Sequence, residues 1–598
     1  MVKPKLTIYI KMKKAILFSV LITLIQLSCN SKSNKENPEV VGEPNQQHQS
    51  IFYNGDIVTM EGDEPKYVEA VVVREGKIIF VGSKEEAFEQ FEGKAKKHNL
   101  NGDTMMPGFI EPHLHPSIAA TVLPNEIIAP YDWVLPNETK KGVSGHENYI
   151  ARITESIDNN ATEEAIYFIW GYHQLWHGEL NREILNKIAG NKPVGIIHRS
   201  FHEIFVNDAA IKMMGIKEEE FKDNPQVDWE KGHFFEGGWL ALVPKIGHLF
   251  FSKDKYLNGL EQMTQLILKN GITTIAEPGF PSSNFDLEYN YLKLEMDKNP
   301  PYDIYLIPNG TQLYGMKGNN NENAKQYAET LADSFNTKNI TFLPKQIKLF
   351  SDGAIYSQLM QMKEDYTDGH HGEWMTPLNL LKEQIALYWN DDYKLHIHAN
   401  GDLGIQMVVD NVEELQDQHP RENHQLTLHH MGYFTDEMAK QIAELGIEAS
   451  VNPYYLWALA DKYSEIGLGK DRGENLVRIK SLVSRGVPVS FHSDFAMAPV
   501  EPLTLAWTAI NRVTSEGSKF SQDQRLSVFE GMQGITIDAA RTLSLEDRIG
   551  SIEEGKQADF VILGKNPFKV NPMEIKDIEV KGVVHKGQFH INKASNLK

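Results

Sequence analysis

From Ile51, apolar and polar residues alternate over short stretches, Ile51 to Met60, Glu69 to Arg74 and Lys77 to Val81, interrupted by Asn54-Gly55 and Glu75-Gly76. A period of two predicts half-buried strands, and the X-Gly pairs predict hairpin turns. Similar runs return at the far end, Ala558 to Leu563 and Gly582 to Val584 with Lys586-Gly587, after the polar turn Glu553 to Lys556. The two ends, residues 50–106 and 550–598, are expected to build one composite β-sandwich domain.

Between them the pattern changes to near-continuous apolar runs of strand length separated by stretches of helical period. The runs are Gly108 to His113, Ile272 to Glu277, Asp303 to Pro308, Gln346 to Phe350, Lys394 to His398, Leu426 to His430, Gly446 to Val451 and Pro488 to Asp494. Tyr256 to Lys269 and Asp436 to Leu445 are amphipathic helices. Repeated β-α units predict a parallel sheet, and eight of them predict an α/β fold with a (β/α)8 TIM-like barrel over residues 107–549. The first gap is too long for one crossover and holds its own strand-like pieces, Ala165 to Trp170 and Pro193 to His198. It reads as an insertion of about residues 116–260 after strand one, at the rim where barrel sites gather, and is expected to shape the pocket.

Composition adds limits. With 598 residues, 41% of them hydrophobic, there is material for a barrel and a satellite domain, and a net charge of -21 argues against nucleic acid or an anionic membrane surface as partner. Lys11, Lys13 and Lys14 precede the apolar run Ala15 to Leu27, the pattern of a secretory signal over residues 1–29. Cys29 is the single cysteine, which excludes an internal disulfide, and it stands where a bacterial lipoprotein signal is cut and lipidated, although Gln26 and Leu27 depart from the usual residues there. A plain secreted protein cleaved nearby is the alternative. Residues 30–49, rich in Asn, Ser, Glu and Gln, read as a flexible tether. The expectation is an exported lipoprotein that meets the membrane only through its lipid anchor.

Candidate chemistry collects at the ends of the predicted strands. His113 and His115, two apart, share a face and can bind one divalent ion. Lys348 lies on strand four, His396 and His398 on strand five, His429 and His430 on strand six, and Asp494 ends strand eight. Neighbouring strand residues point opposite ways, so one of His429 and His430 faces the barrel interior. His396 lies a layer deeper than His398, as a hydrogen-bonded core histidine. The alternative for Lys348 is a structural pairing with Asp352 or Asp494.

The stretch Met106 to His115, Ile347 to Gly353, His398-Ala399-Asn400-Gly401-Asp402, His430, His492-Ser493-Asp494 and Gly550 to Asp559 together resemble the amidohydrolase superfamily, and within it amidohydrolase family 3, the N-substituted formamide deformylase-like branch. The resemblance implies His113, His115 and Asp494 on one metal, His398 and His430 on a second, and Lys348 bridging them as a carbamate, with one or two divalent ions per chain, zinc first. Family spacing selects His430, leaving His429 to pack outward. Asp494 is then the acid-base residue, and His202 a substrate and oxyanion contact or else a structural hydrogen bond. Glu277, His173 and His177 are weaker candidates for substrate contact, with surface or packing roles as the alternative. The implied activity is hydrolysis of a non-peptide C–N bond of a small molecule through a metal-activated hydroxide. Ring deamination and a non-catalytic, lipid-anchored binding protein are the alternatives, and a glycosidase pair of Glu277 and Asp494 would leave the histidines unexplained. Neither substrate nor oligomeric state is encoded in any motif.

Overall fold

Both ends of the chain meet in one sheet. A computed structural model describes residues 49–250 and 252–592; the signal segment, Cys29 and the tether up to residue 48 lie outside the described residues. Gln49–Val58 pairs with Tyr67–Arg74, which pairs with Lys77–Gly82, all antiparallel. Ala95–Asn99 and Thr104–Pro107 run parallel to the first strand, and Thr104–Pro107 receives Phe560–Leu563 in antiparallel register. Val580–His585 and Gln588–Ile591 complete one eight-stranded sheet where a sandwich was expected. Glu75-Gly76 and Lys586-Gly587 form two-residue hairpin turns, both residues of each at positive φ. Asn54-Gly55 instead forms an irregularity within the first strand, where the register shifts between Tyr53 and Ile57. Glycine is required there because a Cβ would lie 2.3 Å from the Asp103 carbonyl oxygen.

The eight central strands are β1 (Phe109–Glu111), β2 (Ile272–Phe280), β3 (Asp303–Pro308), β4 (Gln346–Phe350), β5 (Lys394–Ala399), β6 (Thr427–His430), β7 (Glu448–Val451) and β8 (Val489–Phe491). They give a TIM-barrel-like α/β fold, but the ladders form two sheets rather than one closed ring. One holds β1, β2 and β3, with Ile340–Phe342 at its edge, and the other runs β4 to β8 in order. A parallel bridge between Asn309 and Lys348 joins them on one side. On the other side β1 and β8 share no ladder among the described residues. Gly534 and Ile535 stand between them: Phe491 N–H donates to Gly534 O (2.7 Å), Ile110 N–H to Ile535 O (3.0 Å), and beyond the strands Asp494 N–H to His113 O (3.1 Å). Every residue of β2, β3 and β5 is buried, as strands covered on both faces require. β1 stops short of His113 because Pro112 has no N–H to continue a ladder.

Inside the predicted insertion is a six-stranded sheet, in spatial order Val227–Asp228, His233–Phe235, Glu203–Val206, Val194–His198, Tyr167–Tyr172 and Glu126–Ile127. It has a core of its own around Tyr149, Ile157, Ile169 and Ile196. Its last strand in sequence, His233–Phe235, leads through Glu236 into the helix Gly237–Phe250.

Candidate metal centre and active site

His113 and His115 converge without the strand that a period of two implied. His113 follows β1 in a loop and His115 caps the helix Pro116–Val122, yet their Nε2 atoms lie 3.2 Å apart. Asp494 Oδ1 is 3.1 Å from His115 Nε2 and 3.5 Å from His113 Nε2. The ligand atoms of these three side chains all lie within 4.8 Å of one another, close enough to share one cation. His115 Nδ1 faces Glu277 Oε1 at 2.5 Å, which directs its Nε2 at His113 and Asp494. Burial works against charge on His115, but Glu277 and then Asp494 outweigh it and push its pKa up to about 10. The two carboxylates therefore favour positive charge here.

A second group adjoins the first. The rings of His398 and His430, at the ends of β5 and β6, have centroids 4.3 Å apart. His430 Nδ1 lies 3.5 Å from Asp494 Oδ2, so Asp494 touches both groups. Asn400 Nδ2 donates to His398 Nε2 (2.9 Å). Lys348 lines the same cavity, fully buried, with no hydrogen-bond partner for Nζ. Burial pulls its pKa down to about 7 against the opposing pull of Asp494 and Glu277. The alternative pairing with Asp352 does not form, because that carboxylate accepts from the backbone N–H groups of Gln361, Asn400 and Gly401. Burial also holds His113, His398, His430 and His492 well below the ordinary imidazole range, which leaves neutral nitrogens able to ligate.

These side chains open on a cavity of about 190 Å³ whose other wall comes from the insertion, through Phe201, His202, Glu236, Trp239 and Val243. His202 Nδ1 lies 2.8 Å from Glu236 Oε2. Burial opposes the charged form of His202, but the Glu236 carboxylate outweighs it and the pKa is raised.

A model of the amidohydrolase family matches residues 98–591. The chain belongs to the amidohydrolase family. It is a metal-dependent hydrolase of carbon–nitrogen bonds. Its relatives include N-substituted formamide deformylase of Arthrobacter pascens, 23% identical over 83% of this chain and 90% of that one. Protein LONG AFTER FAR-RED 3 of Arabidopsis thaliana is also 23% identical, over 86% of this chain and 87% of the other. In fold it is similar to an uncharacterized metal-dependent hydrolase from Pyrococcus horikoshii, with a TM-score of 0.66 and 20% identity, covering 91% of this chain and 100% of that one.

Several residues of this amidohydrolase lie elsewhere than sequence reasoning placed them. His429 does not pack outward: its Nδ1 lies 2.8 Å from His113 Nδ1 and its Nε2 2.9 Å from His396 Nδ1. Strict alternation fails because His430 has φ 79°, outside extended backbone, so both rings reach the interior. Glu277 is not on the cavity wall where a substrate contact was expected; it is fully buried against the His115 ring, and it does not face Asp494 across the cavity as a glycosidase pair must. His173 and His177 are buried within the insertion, where His177 stacks on Tyr149 with centroids 3.9 Å apart. His396 bonds Gln346 Oε1 at 2.8 Å, beneath the site. Sequence reasoning gave no role to His492, whose Nε2 is 3.3 Å from His430 Nδ1. Its spacing of two from Asp494 was the available signal. Glu236 carried none.

Proposed function

We propose that this amidohydrolase cleaves an amide or formamide-like C–N bond of a small molecule. His113, His115 and Asp494 would hold one divalent ion, zinc first, and His398 and His430 a second, with Lys348 joined to both as a carbamate. The observation that carries this reading is the pairing of a converged donor set with an orphaned amine: ligand atoms of His113, His115 and Asp494 all within 4.8 Å of one another, and beside them Lys348 Nζ without a partner. An ammonium cannot ligate a cation, whereas the amine form adds CO2, releases a proton and presents two anionic oxygens. Ions held there supply a Lewis acid for the carbonyl and lower the pKa of a water. Asp494 reaches both groups of histidines, so it is placed to take a proton from the attacking water and hand it to the departing nitrogen. His202, held by Glu236, supplies a donor for the developing oxyanion. Phe201, Trp239 and Val243 exclude water from the same cavity. A complete donor set argues against a barrel that has lost catalysis.

Elemental analysis of the protein beside Lys348→Ala, with a screen of amides and formamides, tests this. Two metals per chain falling to one or none in the variant, with hydrolysis lost, is the expected result. One metal unaffected by the variant removes the carbamate, and no metal removes the hydrolytic mechanism. Lipidation at Cys29 is a separate proposal, resting on the Lys11 to Leu27 pattern; labelled palmitate incorporated by the parent and not by Cys29→Ser is its expected signature.

A further inference from the structure

Glu236 is a carboxylate only half used. It is 5% exposed, it lines the cavity, and its Oε2 is engaged by His202 Nδ1. Its other oxygen, Oε1, is buried and has no hydrogen-bond partner. Leaving a buried acceptor unsatisfied costs about 1–3 kcal/mol, more for a charged group, and such atoms are rare in native proteins. The side chain is also held in place. Glu236 has φ 41°, its N–H donates to His202 O (2.9 Å), and the next residue, Gly237, donates its N–H to Gln226 Oε1 (2.8 Å). An ionised carboxylate oxygen can only accept, so whatever satisfies Oε1 must bring a hydrogen.

Glu236 and His202 line the same cavity as His113, His115, His398 and Asp494. His202 senses the charge of Asp494, and His398 senses that of His202, so the His202–Glu236 pair stands beside the proposed ligands and not at a remote end of the cavity. Of the neighbouring insertion side chains on this wall, Phe201 and Val243 are apolar, the Trp239 indole can donate but not accept, and the Ser200 hydroxyl is already engaged by Ser357 and His198. One hydrogen-bond donor is guaranteed next to the bond being cut in any secondary amide: its own N–H. We propose that Glu236 Oε1 is the subsite for that N–H, making Glu236 a specificity-determining residue that selects secondary amides over their N-alkylated counterparts. This rests on the amide-hydrolase reading above. With the carbonyl oxygen directed at the metal site and the N–H at Glu236, the amide plane is fixed from both sides before attack. An N-alkyl group would leave Oε1 unsatisfied and press carbon against it.

Matched pairs test the subsite on the metal-loaded protein: formanilide against N-methylformanilide, and N-hexylformamide against N-hexyl-N-methylformamide, each corrected for its rate of alkaline hydrolysis. The expected kcat/KM preference for the N–H member is about a hundredfold or more, because a site built around a hydrogen bond rejects the analogue that lacks it. Glu236→Gln keeps an oxygen for His202 but turns an N–H2 toward the substrate nitrogen, so the preference should fall below about tenfold with metal content unchanged. Equal turnover of both members overturns the subsite while leaving amide hydrolysis intact. A preference that survives Glu236→Gln assigns the selection to another residue and likewise overturns it. Turnover of no member of any pair by metal-loaded protein sinks the amide reading and this subsite with it.

Discussion

The two walls of the cavity are built on different principles. On the barrel side, functional side chains leave the ends of β1, β4, β5, β6 and β8, and all are buried or nearly so: His113, Lys348 and His430 are at most 2% exposed. There histidines crowd one another, and burial keeps His113 and His430 neutral while the carboxylates beside His115 favour its charge. On the insertion side, a six-stranded sheet with its own core offers one imidazole–carboxylate pair and a set of aromatic and aliphatic surfaces. The barrel wall can hold cations and move protons; the insertion wall can orient a substrate and shut out water. The proposed ligands thus sit on one wall and most of the apolar surface on the other, although insertion and barrel share one continuous core.

That division gives ways to break it. The largest effect should follow Asp494→Asn, which removes the group shared by both histidine sets: kcat should fall by about 10⁴-fold, the upper range for a lost acid-base residue, read by steady-state kinetics on any turned-over amide. His202→Gln, on the other wall, should lower kcat by about 10²-fold, the loss expected for an oxyanion donor, with metal content unchanged. Loss of metal from that variant would merge the two walls into one unit. Glu277→Gln should weaken metal affinity by roughly 10–100-fold through His115, with little effect on KM once metal is saturating, as competition with a chelator would show. The smallest change should come from Trp239→Ala, where KM rises by about tenfold for the loss of some 1.4 kcal/mol of apolar contact and kcat holds. A kcat collapse in Trp239→Ala would mean that the insertion also positions the barrel's reacting groups.

What could be read from the sequence divides along the same line. β3 and β4 fall on the expected residues, Asp303–Pro308 and Gln346–Phe350, because strands buried on both faces leave continuous apolar runs. His113, His115, Lys348, His398, His430 and Asp494 were all found in sequence and all line the cavity. The errors come from backbone that departs from regular geometry. His429 was misplaced because nothing local announces φ 79° at His430, and Asn54-Gly55 resembles a hairpin but sits in a strand irregularity. In the insertion, Val194–His198 was visible, while Glu203–Val206 and His233–Phe235 are too short to show a period. Glu236 functions through a fold that brings residues 202 and 236 together, and no spacing in the sequence encodes that.

The gap between β1 and β8 has a consequence for the history of each molecule. Glu111 and Ser493, 382 positions apart, meet through a hydrogen bond of 2.7 Å, Gly534 and Ile535 fill the seam, and Phe560–Leu563 must arrive before Thr104–Pro107 gains its outer partner. The first and last of the proposed ligands, His113 and Asp494, therefore belong to distant stages of synthesis. Because the insertion shares its core with the barrel, a chain still leaving the ribosome lacks the seam beside His113 and Asp494 until nearly its whole length has emerged. A product cut short before residue 534 loses the backbone partners of Phe491 and Ile110, so the expectation is an inert fragment rather than a stray hydrolase.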